Sequence, residues 1–248
     1  MYNREFWSVV GKALAAAAIG IGIGWLITPA RADDALNVQV LNNTVQINDN
    51  CSGTLIYSDR DKESGKVETL ILTAKHCVTN EDQDFKIHFP KYQNNRVVKQ
   101  DTYIGKVKGK SYKYDLSLLS LKDTETYFKS VSKIAPDNIP LSLGDRVLVA
   151  GYPLGYNLTV TDGMFGGYQS IDYPKSGAEY FRSTPDIAPG SSGGALYGIT
   201  KEGKYELIGV TTAGFRGFTF MNLFTPVDQI NEYLKVAVPK LYTTEKND

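Results

Sequence analysis

Short apolar or alternating runs recur along the chain, broken by glycine, proline, asparagine and aspartate. They cover 36–47, 52–57, 69–73, 85–89, 103–107, 116–121, 146–151, 207–212 and 218–224. Val, Ile, Thr, Tyr and Phe dominate these runs, and such side chains suit a pleated, half-buried surface. No long stretch of helical period occurs before 226–234, where Pro226 follows Thr225. Threonine is an acceptable N-cap and proline a favoured first helical residue, so a terminal helix capped by Thr225 is predicted here. Many short strands and one helix make an all-β, barrel-type architecture. The polar, turn-rich stretch 122–140 reads as a link between two halves. Only a short tail, 236–248, follows the helix, and no appended binding domain is expected.

The first residues change this picture. Arg4 and Lys12 lead into an uncharged apolar run, 13–28, which Ala30-Arg31-Ala32 follows. A basic start, an apolar middle and a small-x-small site describe an export signal cut after Ala32. The run falls short of the roughly 20 residues that a membrane span needs. Membrane contact is therefore expected only through an uncleaved signal, and the chain is expected to be exported, periplasmic or secreted.

Composition narrows the partners. The 248 residues carry 27 basic and 27 acidic side chains. No Lys/Arg block of the kind that tracks phosphates stands out, so nucleic acid is not an expected partner. Two cysteines, Cys51 and Cys77, are present. An even count in an exported chain suggests one disulfide, the other reading being two buried thiols. Two cysteines beside one histidine do not supply a four-ligand set, and neither a metal nor a cofactor is expected.

Three elements carry candidate chemistry, in the order His, Asp, Ser. Leu72-Thr73-Ala74-Lys75-His76-Cys77 follows an apolar strand. Tyr114-Asp115-Leu116-Ser117-Leu118-Leu119 sets an acid at the head of another. Pro189-Gly190-Ser191-Ser192-Gly193-Gly194-Ala195 is a glycine-rich turn before an apolar stretch. A serine hydroxyl is a weak nucleophile that needs a base within hydrogen-bond reach. Neutral imidazole is that base at physiological pH. A carboxylate must hold its tautomer and stabilise the imidazolium that forms. Glycines beside the serine let backbone amides converge on one point, as an oxyanion hole requires.

These motifs resemble those of the trypsin/chymotrypsin-like serine peptidases. Cys51-Ser52-Gly53-Thr54-Leu55 resembles the strand whose cysteine bridges to the residue after the catalytic histidine. Gly151-Tyr152-Pro153-Leu154-Gly155, Thr161-Asp162-Gly163 and Ile208-Gly209-Val210-Thr211-Thr212-Ala213 look closer to the bacterial, HtrA-like branch. The resemblance implies two six-stranded antiparallel β-barrels, chymotrypsin-like, with the site in the cleft between them. It implies a Cys51–Cys77 disulfide, His76 as base, Asp115 as orienting acid, Ser192 as nucleophile, and Gly190 and Ser192 amides as oxyanion donors. Domains are expected at 1–32 (signal), 33–125 (first barrel), 126–140 (linker), 141–235 (second barrel and helix) and 236–248 (tail).

Two departures matter. Ser191 stands where the digestive enzymes carry an aspartate that pairs with a newly cut N-terminus. Activation through that ion pair is therefore not expected. Asp186 lies six positions before Ser192, which the family pattern places at the base of the specificity pocket, with Thr212, Ala213 and Gly214 along its wall. A carboxylate there would favour Lys or Arg at the cleavage position; the alternative is a solvent-facing loop. His88, mid-strand, is expected to be exposed and structural. The implied activity is a monomeric endopeptidase acting on peptide or protein substrates. A peptide-binding relative without catalysis, or a quality-control protease, would use the same cleft.

Overall fold

The computed structural model describes residues 36, 39–62, 64–93, 96–122, 124–171, 179–215, 217, 218 and 220–242. The expected signal segment and its cleavage point lie outside them. Among the described residues twelve strands close into two barrels of six. The first barrel takes β1 (Thr44–Ile47), β2 (Cys51–Arg60), β3 (Val67–Thr73), β4 (Phe85–Gln93), β5 (Arg96–Lys110) and β6 (Ser117–Leu121). The second takes β7 (Arg146–Gly151), β8 (Thr159–Ser170), β9 (Glu179–Ser183), β10 (Ala195–Ile199), β11 (Tyr205–Gly214) and β12 (Asn222–Pro226). The strand orders are β1-β2-β3-β6-β5-β4 and β10-β11-β12-β9-β8-β7, every ladder being antiparallel. A helix, α1 (Val227–Ala237), follows β12 directly.

Three apolar clusters explain why several strands read as unbroken hydrophobic runs. Side chains alternate across a strand. In β7, Val147 and Val149 fill the second barrel while Leu148 and Ala150 join a cluster between the barrels. In β3, Ile71 points into the first barrel while Leu70 and Leu72 face the shared cluster. Leu119 and Leu118 divide in the same way. Strands buried on both faces lose the polar alternation of a half-exposed sheet.

The shared cluster also takes Ile230, Tyr233 and Leu234 from α1, so the helix closes the seam. The segment joining the barrels packs on the second one. Ala135 donates to the Leu207 carbonyl at 3.0 Å and Leu207 to Lys133 at 2.8 Å.

Some sequence expectations are corrected. Among the described residues of 36–47 only β1 is extended, and Leu41–Asn43 forms a single 3-10 turn. The N-cap of α1 is Pro226 rather than Thr225. Thr225 is a buried strand residue whose hydroxyl bonds Thr212 Oγ1 at 2.8 Å, leaving it unavailable to cap. His88 is buried, not exposed: Nδ1 meets Thr102 Oγ1 at 2.8 Å and Nε2 faces the Asp49 carboxylate at 3.4 Å.

Candidate active site

The segment after β3 turns abruptly. A 3-10 turn, Lys75–Cys77, carries His76, with the Cys77 amide bound to Ala74 at 3.2 Å. A disulfide joins Cys77 to Cys51 at the start of β2, their Cα atoms 6.1 Å apart. Asp115 sits just before β6, on a turn built around Ser111. The Ser111 hydroxyl accepts the Tyr114 amide at 3.0 Å, and the Ser111 amide bonds Leu116 at 2.9 Å. Tyr114 extends to α1 and donates to Glu232 at 2.5 Å.

Asp115 grips His76 twice. One carboxylate oxygen accepts the His76 backbone amide at 3.0 Å and the other faces Nδ1 at 2.7 Å. That second contact makes Nδ1 the protonated nitrogen and leaves Nε2 free to accept a proton. The Asp115 hydrogen bond pushes the His76 pKa above its ordinary value, with burial opposing it and the carboxylate's charge adding to it. The same charge, after burial, helps raise the phenol of Tyr180 on β9.

Ser192 lies on the loop before β10. Its carbonyl accepts the Ser52 amide at 2.8 Å and lies 3.6 Å from Cys77 Sγ, which places it beside the histidine turn. The loop closes on itself: Ser191 N–H bonds Ala188 at 2.9 Å, Gly194 N–H bonds Ser191 at 2.9 Å, and Gly193 N–H bonds Thr211 at 2.9 Å. Gly190 and Gly193 adopt φ of +97° and +83°, and a Cβ at Gly190 would meet the Tyr152 carbonyl at 2.5 Å. Only glycine takes this path without strain. Among the described residues no acceptor takes the amide protons of Gly190 or Ser192. Two unclaimed donors in one tight turn are what an oxyanion site requires. Ser191 answers the Ala188 amide with its hydroxyl at 3.3 Å.

A cleft of about 480 Å³ opens beside Ser192. Ile187, Ala213, Gly214, Phe215 and Phe218 line it, with Asn222 also on the wall. Asn222 is fixed by its amide, which donates to the Pro185 carbonyl at 2.7 Å.

Two residues expected in the pocket are elsewhere. Asp186 is exposed and absent from the lining; its carbonyl accepts Thr161 Oγ1 at 2.7 Å, and Ile187, next in the chain, faces the cleft instead. Thr212 turns its hydroxyl to Thr225, because a bulge between Thr211 and Ala213 breaks the strand alternation. Ala213 and Gly214 do line the cleft. Ile187, Phe215, Phe218 and Asn222 were not singled out by the motifs. Phe218 and Asn222 fall in the run 218–224, where an unbroken strand is predicted, yet β12 begins only at Asn222.

Comparison with known proteins fits this geometry. A family model described as the trypsin-like peptidase domain matches residues 51–210. No curated protein matches the chain in sequence. Among solved structures, the HtrA-type protease AlgW, a variant with a tripeptide, superposes with a TM-score of 0.63 at 18% identity. That match covers 84% of this chain and 64% of AlgW, a little under two thirds of its length. A serine endoprotease from Yersinia pestis superposes with a TM-score of 0.61 at 21% identity, covering 86% of this chain and 68% of the other. At these identities the two structures speak to the fold.

Proposed function

The chain belongs to the trypsin-like peptidase domain family, and from that premise we propose that it is an endopeptidase using His76, Asp115 and Ser192. The observation that carries this reading is the Asp115-bound His76 beside a serine turn with two unclaimed amides. Ser192 Oγ attacks the peptide carbonyl carbon and its proton passes to His76 Nε2. The carbonyl oxygen, now negative, is held by the Gly190 and Ser192 amides. The C–N bond then breaks as His76 returns the proton to the leaving amine, leaving an acyl-enzyme. Water, deprotonated by His76, releases the acid and restores the serine.

The lining of the cleft favours an apolar side chain at the cleavage position. Ile187, Phe215 and Phe218 offer dispersion contacts and hydrophobic burial, and Asp186 is outside the lining, so a cationic side chain gains no ion pair from it. The Ser191–Ala188 contacts supply local closure of the loop, which fits a protein active without an N-terminal ion pair. Export is part of the reading: the Cys51–Cys77 bridge suits an oxidising compartment, and the apolar leader supplies a route there.

A peptidyl phosphonate with an apolar terminal residue tests the reading. It is expected to label the protein at Ser192 and to leave Ser192→Ala unlabelled, while a peptide library is cut after apolar residues. Equal labelling of both proteins, or no cleavage of any peptide, refutes the proposed activity.

A further inference from the structure

The oxyanion turn belongs to the second barrel, yet it is tied directly to a side chain of the first. We propose that Ser52, on β2, is the positioning residue of the oxyanion hole; this rests on the peptidase reading above.

The argument begins with peptide planes. In a trans peptide the N–H points opposite to the preceding C=O, so anchoring that carbonyl aims the amide. The Ser192 amide is aimed by the Ser191 carbonyl, which Gly194 N–H holds at 2.9 Å. The Gly190 amide is aimed by the Pro189 carbonyl, which Leu154 N–H holds at 2.6 Å. Leu154 belongs to the turn Pro153–Gly155 and reaches Pro189 from a left-handed backbone, φ 56° and ψ 19°. Leu154 is 63% exposed, so burial does little to repay that conformation. Something else must hold the turn in place.

Gln46 Nε2, from β1, donates to the Gly155 carbonyl at 2.8 Å at the turn's far end, and Ser52 Oγ holds its entrance. The hydroxyl accepts the Tyr152 amide at 2.8 Å and donates to the Gly190 carbonyl at 2.7 Å. It therefore bridges the Leu154 turn and the oxyanion turn, one bond on each. The Ser52 amide adds a third stay, on the Ser192 carbonyl at 2.8 Å. The residue has no exposed surface, and its own carbonyl accepts Thr73 Oγ1 at 2.7 Å. Alanine at this position keeps the backbone stay but removes both hydroxyl bonds, leaving a buried donor and a buried acceptor unpaired. The Leu154 turn is then held from the first barrel at its Gly155 end alone, its entrance and the Gly190 carbonyl can rotate, and the Gly190 amide loses its aim.

Removing an oxyanion donor outright typically costs about 10²–10³ in turnover. Misaiming one by Ser52→Ala is expected to lower kcat by about ten- to a hundredfold with KM unchanged, on a peptide that the wild type cleaves. A peptide aldehyde, whose adduct bonds Ser192 Oγ to the aldehyde carbon and places an oxyanion in the hole, is expected to bind more weakly by the same factor. The uncleaved peptide is expected to bind Ser192→Ala and Ser52→Ala/Ser192→Ala equally. Should Ser52→Ala not fold, Ser52→Gly lacks the same hydroxyl in a smaller side chain, and the same kcat loss is expected there. Wild-type kcat in either folded variant overturns the assignment. So does a loss in which aldehyde and uncleaved peptide weaken together. A wild type that cleaves nothing overturns the peptidase reading itself.

Discussion

Asp115→Asn tests the electrostatics of the site with the smallest change in shape. The carboxylate accepts two bonds from one residue, the His76 amide at 3.0 Å and Nδ1 at 2.7 Å. An amide of the same outline has one acceptor oxygen. If that oxygen keeps the backbone N–H, the NH₂ group faces Nδ1, and the ring must carry its proton on Nε2. Nε2 can then no longer accept from Ser192. The corresponding change in a related triad lowers kcat by about 10⁴, or about 5.4 kcal/mol of transition-state stabilisation. The pH profile separates this from a packing defect. The Asp115 hydrogen bond raises the His76 pKa. Activity needs the neutral ring, so the acid limb of kcat/KM in the wild type lies above the free imidazole value of about 6.5. Without the carboxylate's charge the imidazolium loses its partner, and the limb moves to lower pH. Rates from pH 4 to 9 on an apolar peptide substrate, with circular dichroism to verify folding, read both effects. A limb that stays in place, or a rate loss below tenfold, refutes the assignment of Asp115.

Two further predictions concern stability and specificity. The bridged cysteines are 26 residues apart, and closing a loop of that length stabilises by about 3.5 kcal/mol in the chain-entropy treatment. Cys51→Ala/Cys77→Ala is expected to lower Tm by about 7–14 °C, at about 2–4 °C per kcal/mol. Dithiothreitol should bring the wild type to the same value; an unchanged melt refutes the bridge. In the pocket, Asp186→Ala should leave the cleavage profile of a peptide library as it was, whereas Ile187→Asp should add cleavage after Lys and Arg by at least about tenfold. A profile that shifts with Asp186→Ala and not with Ile187→Asp refutes the placement.

The strand content and the three motifs were legible because they are local. The runs 69–73, 116–121 and 146–151 became β3, β6 and β7, and each motif stayed on the element that its flanking residues implied. Asp115 needed only a strand to head, and His76 only a turn to end one. What escaped depends on partners far along the chain. Thr225 has the chemistry of a cap, but its hydroxyl is taken by Thr212 across a β11–β12 pair. Asp186 has the right offset from Ser192, yet offset does not fix which of two adjacent side chains faces the cleft, and Ile187 does. Ser52 sits inside a motif that drew notice for its cysteine. Its two hydroxyl partners lie 100 and 138 residues away, where no periodicity points.

The same long-range contacts explain how two barrels hold one site. Residues flanking the proposed acid, Tyr114 and Leu116, are buried in the cluster between the barrels. Ala195, three positions after Ser192, is buried in that cluster too, with Ile230, Tyr233 and Leu234 of α1 packed against them. Packed interiors resist small displacements, since even a methylene change is felt. The spacing between Asp115 and Ser192 is thus set by a core, on which the hydrogen-bonded turns that carry them are seated. Polar stays then do what apolar packing cannot, which is to orient individual groups: Asp115 turns the imidazole, and Ser52 ties the serine turn to the first barrel. The division of labour places distance in the apolar seam and direction in a few buried hydrogen bonds.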